Sequence, residues 1–223
     1  MIKVKMITEK PIFIIANYIY TFFIINIYFI LSNGLFFYGY YFANSAFDYL
    51  AIVFILLIPM GPALAAVFYT MGKLVREKEI SPTQDYLTGY KKNFKISLSY
   101  WLIQLSLLFI LSINYHYITR TGVLAILLPF FIVLALFILS LNLYAFPILS
   151  RFEIKLKNLW IVSAYYFFKH WKLTLLNLTT IISFVFIYYQ FASILFLFFS
   201  SLVTYFIMFN LKNLFQRLEA QEE

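Results

Sequence analysis

PMGPALAAVFYTMGKLVREKEISPTQDYLTGYKKNFK, residues 59–95, decides how this chain is read. It opens inside an apolar run, with Pro59 and Pro62 flanking Met60-Gly61 and the small residues Ala63, Ala65 and Ala66 just behind. It closes in a segment that holds Lys73, Arg76, Lys78, Lys91, Lys92 and Lys95. Such dense basic charge belongs in water or among lipid headgroups, so the stretch reads as a membrane helix leaving the bilayer.

The rest of the chain agrees with that reading. Of 223 residues, 64% are apolar and only 12% are charged, which is not a soluble composition. Apolar runs long enough to cross a bilayer fall at about 12–31, 49–71, 96–113, 122–149, 173–189 and 192–211. Helices satisfy their own backbone in lipid, so the expected fold is all-α: one integral membrane domain over 1–223, a bundle of about six transmembrane helices with two interfacial or cytoplasmic amphipathic segments. The first run follows Lys3, Lys5 and Lys10 but is too long for a signal-peptide core, and no A-x-A-like site follows it. Asn33-Gly34 marks a turn, and the aromatic segment 35–41 suits the outer interface.

Charge gives an independent check. Sixteen of the 17 basic residues lie before the first run, after the last, or in the 72–95 and 150–172 segments; only Arg120 falls on the other side. By the positive-inside rule this places both ends in the cytoplasm, and the net charge of +8 reports topology, with no nucleic-acid partner implied. The chain has no Cys, so disulfides and thiolate metal sites are excluded. The 28 Phe and 19 Tyr rise together with Ile, Asn and Lys, which marks a compositional bias and not a binding stripe.

Ser81-Pro82-Thr83-Gln84-Asp85 is a helix start, with Ser81 as N-cap, Pro82 at the first position and Gln84 completing a capping box. Leu87, Tyr90 and Phe94 recur at helical spacing, so this helix is expected to skim the membrane before turning into the third span. In the second segment Phe152, Leu156, Leu159 and Trp160 share one face, and Arg151, Lys155 and Asn158 another. Tyr90–Lys95 matches Phe167–Lys172 at an offset of 77, a pattern that snorkelling lysines and interfacial aromatics also produce by convergence.

Chemistry has few places to sit. Asp48 lies at the outer end of the second span, and the polar residues within the spans, among them Asn17, Asn26, Gln104, Asn142, Asn177, Ser183 and Thr204, are neutral and suit interhelical hydrogen bonds. Pro59 and Pro62 break the second span. The break either offers backbone carbonyls to a solute or lets Gly61 and Ala63 pack closely on a neighbour, and the small residues favour packing. Pro129 and Pro147 have fewer small residues nearby. His116 and His170 have no partner at metal-ligand spacing, and no H-E-x-x-H, G-x-S-x-G or P-loop pattern occurs. No enzyme activity and no cofactor are expected, and the oligomeric state is not legible.

On GPALAAVFYTMGKLVREKE, on YKKNFK, and on Tyr144-Ala145-Phe146-Pro147-Ile148-Leu149-Ser150-Arg151-Phe152-Glu153, the chain resembles the YesL family of bacterial integral membrane proteins. The resemblance implies an association with carbohydrate uptake, because family members are usually encoded beside ATP-driven sugar transporters. It also implies where to look. Pro59, Gly61, Pro62 and Ala63 would form a helix-packing motif. Arg76, Lys92, Asn93, Phe94, Pro147, Arg151, Phe152 and Glu153 would form a cytoplasmic docking surface, with Glu153 paired to a basic residue of the other segment. The expected function is an accessory to such a transporter, with its permease subunits as partner; an independent channel or facilitator is the alternative.

Overall fold

The computed structural model describes residues 11–42, 50–122 and 125–222, and the regular elements in them are helical. Lys3, Lys5, Lys10, Asp48 and the expected start of the second span at residue 49 lie outside the described residues. The helices are α1 (Pro11–Ser32), α2 (Gly34–Phe42), α3 (Leu50–Leu56), α4 (Met60–Glu77), α5 (Pro82–Thr121), α6 (Leu128–Ser140), α7 (Asn142–Arg151), α8 (Leu156–Lys169), α9 (Trp171–Gln190), α10 (Ala192–Leu195) and α11 (Phe199–Glu222), with a 3-10 turn at Ala125–Leu127. Among the described residues, five stretches are long and apolar enough to cross a membrane: Ile14–Ser32, Leu50–Glu77, Pro82–Thr121, Ala125–Arg151 and Trp171–Gln190. The chain is an all-α, multi-pass membrane protein. The expected sixth span is not among the five. It is divided between α10 and α11, and α11 turns polar at Asn210, Lys212 and Asn213.

α4 is the hub. Its Ala63, Ala66, Val67, Met71 and Leu74 face Ile25 and Phe29 of α1 and Tyr86 of α5. Ala65 and Phe68 face the other way, toward Tyr100 and Trp101 of α5, Phe146 of α7 and Met208 and Leu211 of α11. Alanines and glycines on two sides of one helix let four neighbours approach it, which is how membrane helices pack when lipid supplies no hydrophobic drive. Gly61 is the tightest point on α4: a Cβ built there would lie 2.4 Å from Trp101 Cβ.

α5 corrects one expectation. Its 40 residues form a single unbroken helix of about 60 Å, twice the thickness of a hydrocarbon core, so it runs straight out of the membrane without skimming and turning. Its cap also differs. Ser81 makes no side-chain cap bond; instead the Ser81 N–H donates to Asp85 Oδ2 at 3.0 Å, and Lys73 donates to Asp85 Oδ1 at 2.7 Å. Asp85, not Gln84, closes the start of the helix because it ties α5 to the end of α4 at the same time. The two matched segments are unlike in structure: Tyr90–Lys95 lies within α5, whereas 167–172 straddles the turn at His170 between α8 and α9.

Candidate functional site

Three helix breaks divide membrane-spanning runs, and each receives a side chain from a neighbouring helix. Between α3 and α4 the chain turns at residues 57–59, where the ring of Pro59 removes a backbone donor. Trp101 Nε1–H of α5 donates to Leu57 O at 2.8 Å, and the Met60 N–H donates to the same oxygen at 3.1 Å. Between α6 and α7, Gln104 Nε2 of α5 donates to Ile138 O at 2.8 Å. Between α10 and α11, Asn26 Nδ2 of α1 donates to Phe196 O at 2.8 Å, and Asn26 Oδ1 accepts from the Ser200 N–H at 3.0 Å. Freed carbonyls in lipid must find a partner, and these breaks find theirs inside the protein. The Leu57 carbonyl is therefore engaged within the protein, and the Pro59-Gly61-Pro62-Ala63 stretch lies at a close contact between α4 and α5. Pro62 and Ala63 are buried, and Gly61 lies against Trp101. Asn26 and Gln104 act as the sequence suggested; Trp101 was missed, since an indole in an aromatic-rich chain carries no distinguishing signal.

The ion pairs among the described residues gather at one end of the bundle, where α4 and α7 stop and α5 begins. Lys73 joins Asp85 and Glu77, Lys92 joins Glu153 at 3.3 Å, and Arg151 makes a two-pronged pair with Glu219, both contacts at 2.5 Å. The Lys92–Glu153 pair links α5 to the segment between α7 and α8, which is the pairing expected of Glu153. Both side chains are exposed, so the pair contributes little to stability.

Lys92, Asn93, Phe152 and Glu153 come together as lining of one cavity of about 340 Å³, with Ile96, Leu149, Ile154 and Lys155. Asn93 is buried, and its Nδ2 has no hydrogen-bond partner. A second cavity of about 330 Å³ lies on the other side of the same segment, against Ile148, Val162, Tyr166 and Leu218, and shares Phe152, Glu153 and Ile154 with the first.

The other expected docking residues sit elsewhere. The Arg151 side chain is only 6% exposed and lies 5.4 Å over the Phe215 ring, so it holds α11 in place and presents no free charge. Its partner Glu219 was missed; the i, i+4 spacing of Phe215 and Glu219 on a late helix was the available signal. The Arg151 hydrogen bond holds the Glu219 carboxyl below its ordinary range. Pro147 is buried inside α7, Phe94 is exposed against Tyr90 on α5, and Arg76 is exposed in the last turn of α4, within the field of Arg151 and Glu219. At the turn between α8 and α9, burial, assisted by Lys169 and Arg217, lowers the His170 pKa, and its carbonyl accepts from Tyr144 OH at 3.3 Å. No cluster of three or more metal-ligating side chains occurs among the described residues.

Comparison with known proteins adds one finding. Residues 13–115 match the family described as a protein of unknown function, DUF624. The match takes in GPALAAVFYTMGKLVREKE and YKKNFK, and the cavity's Lys92, Asn93 and Ile96; residues 144–153 lie beyond it. No curated protein and no solved structure matches the chain.

Proposed function

We propose that the chain is a non-enzymatic accessory component of carbohydrate uptake in a bacterial cytoplasmic membrane. In this reading it docks through its charged end, which faces the cytoplasm with both termini, onto the permease subunits of an ATP-driven oligosaccharide transporter. The observation that carries the reading is the exposed Lys92–Glu153 pair bridging two elements above a cavity, beside the Arg151–Glu219 pair, whose arginine is buried. A surface made of charges fixed from below is suited to orienting a partner more than to binding it tightly. The sugar class rests on the resemblance to the YesL family.

The natural absence of Cys makes the test direct. Asn158→Cys and Thr88→Cys, both exposed at the charged end, would carry a photocrosslinker in native membranes, with exposed Tyr117→Cys near the far end of α5 as control. The expected result is an adduct with a sugar permease subunit from the first two positions and none from the third. Adducts absent from all three, or equally strong at Tyr117→Cys, would overturn the reading.

A further inference from the structure

α3 and α4 are consecutive pieces of one membrane-crossing stretch, joined by a weakened backbone ladder. Pro59 has no N–H for Ile55 O, and Pro62 has none for Ile58 O. The turn closes on shorter loops instead: Ile58 N–H donates to Ile55 O and Met60 N–H to Leu57 O, each at 3.1 Å. A turn between two helix ends, with two ladder donors missing, is where a few residues can absorb a change in φ and ψ. From α5, Trp101 Nε1–H donates to Leu57 O at 2.8 Å and pins the turn in place.

The two pieces are held very differently. Eleven of the 18 residues of α4 are buried, and none of α3. The α3 sequence LAIVFIL has no polar side chain with which to hold a neighbour. Of its residues Phe54 alone packs against the main core, where its ring meets Phe109 of α5 edge-on at 5.1 Å. α2 also touches it, but that contact, Leu56 against Gly39, sits beside the turn. Between α3 and α5 lies a cleft of about 300 Å³, with Ala51 and Ile55 on one wall and Leu102, Leu105 and Phe109 on the other. Ser106 also lines the cleft, and its hydroxyl donates to Leu102 O at 2.9 Å within α5. Lipid tails are as apolar as these walls, so neither a hydrophobic drive nor a side-chain hydrogen bond fixes the position of α3.

We propose that α3 is a hinged lid. It pivots at residues 57–59, away from α5 and back, and so opens and closes the apolar cleft to the bilayer while α4 and α5 stay packed. The motion makes no use of the charged end and stands apart from the docking reading.

The absence of Cys lets spin labels be placed in the full chain in nanodiscs. Ile52→Cys with Tyr117→Cys reports α3 against α5, and Glu77→Cys with Tyr117→Cys reports α4 against α5; all three positions are exposed. Double electron–electron resonance is expected to give the first pair a distance distribution at least about twice as wide as the second, because only the first has the turn between its α3 label and the packed half. Pro59→Ala restores one ladder donor and is expected to narrow the first pair while the second stays unchanged. Equal widths in the two wild-type pairs would overturn the proposal. So would a first pair that stays as broad in Pro59→Ala, since the spread would then belong to the end of α3 and not to the turn. If Pro59→Ala also alters the second pair, Trp101→Phe decides: it unpins Leu57 O and is expected to broaden the first pair alone, and an unchanged first pair would overturn the hinge.

Discussion

α6 and α7 share one membrane-crossing stretch and divide at Leu141, yet they live in different solvents. In α6, Phe130, Ile132, Val133 and Leu136 all point outward, and Ile138 alone is buried. In α7 every residue from Leu143 to Ser150 is buried. The second span repeats the division at Pro59: no residue of α3 is buried, whereas Gly61 through Ala63, Ala65 through Phe68, and Met71 of α4 are. The sequences follow the solvent. Apart from Ala51, Pro129, Ala135 and Ser140, LAIVFIL and LPFFIVLALFILS are large and apolar all round, which is all that lipid asks. The packed halves carry Gly, Ala, Pro, Ser, Thr and Asn, which let backbones approach and give polar groups partners. The breaks therefore mark the depth at which lipid contact gives way to protein packing, and that depth lies on the side of the charged site.

The largest expected effect is at Gly61, the tightest point on α4. In Gly61→Leu the new side chain would start 2.7 Å from Trp101 Cγ and 2.4 Å from its Cβ, an atom fixed to the α5 backbone that cannot swing aside. The expected cost exceeds about 3 kcal/mol, the upper end of ordinary overpacking, read as lost monodisperse yield and a lowered melting temperature in mild detergent. Ala51→Leu, an insertion smaller by one carbon on exposed α3, should change stability by less than about 0.5 kcal/mol. Similar losses in both variants would remove the distinction between the two halves.

That distinction was half legible in the sequence. Gly61, Pro62 and Ala63 are visible because small residues and prolines are rare enough in an aromatic-rich chain to stand out, and the 16 to 1 charge split needs only counting. The Lys92–Glu153 pair was reachable because both residues fall in segments the spans leave outside. What could not be read is long-range geometry. Trp101, Gln104 and Asn26 each reach a specific carbonyl on another helix, and helical period fixes the face a residue occupies but not the turn of a neighbour it meets. Arg151 illustrates the converse error. An arginine in an interfacial motif looks like a docking charge until Glu219 and Phe215, more than 60 residues away, are seen to bury it. The expected sixth span differs in another way: its apolar run is divided between α10 and α11, and Asn210 and Lys212 continue the same helix into polar sequence.

Next in size are the side chains that fill the breaks. Asn26→Leu removes a donor to Phe196 O and an acceptor for Ser200 at once, and is expected to cost about 2 kcal/mol, since buried backbone groups are left unpaired. Trp101→Phe keeps most of the ring packing and loses one bond to Leu57 O, which the Met60 N–H still serves, so about 1 kcal/mol is expected. Amide hydrogen exchange around residues 196–202 and 57–63 reads each break locally. The order matters more than the values. A larger effect at Trp101 than at Asn26 would mean that the Pro59 break is held open by its plug and not by the packing of Gly61.

The smallest effect belongs to the charged end, where water enters. Arg151 holds Glu219 below its ordinary pKa, so the pair stabilises the docked end of α11 at pH values above the normal carboxylate range. That stabilisation declines as pH falls below the normal range and is gone once pH has passed through the lowered value, because the unfolded state then takes up its proton first. Glu219 is 46% exposed, so solvent screening limits the contribution to roughly 1 kcal/mol or less, although the Arg151 side it meets is buried. Protection of the amides at residues 211–220, with the intrinsic pH dependence of exchange divided out, is expected to fall between about pH 5 and about pH 3 in the wild-type chain, while protection in α4 stays constant. In Arg151→Lys the packing over Phe215 and the two-pronged geometry are lost together, so protection should be lower at pH 7 already and nearly independent of acid. A wild-type profile that is flat, or an Arg151→Lys profile as steep as wild type, would assign the anchoring of α11 to Leu211, Leu214 and Phe215 alone, and the charged end would then be held by the same packing that holds the membrane half.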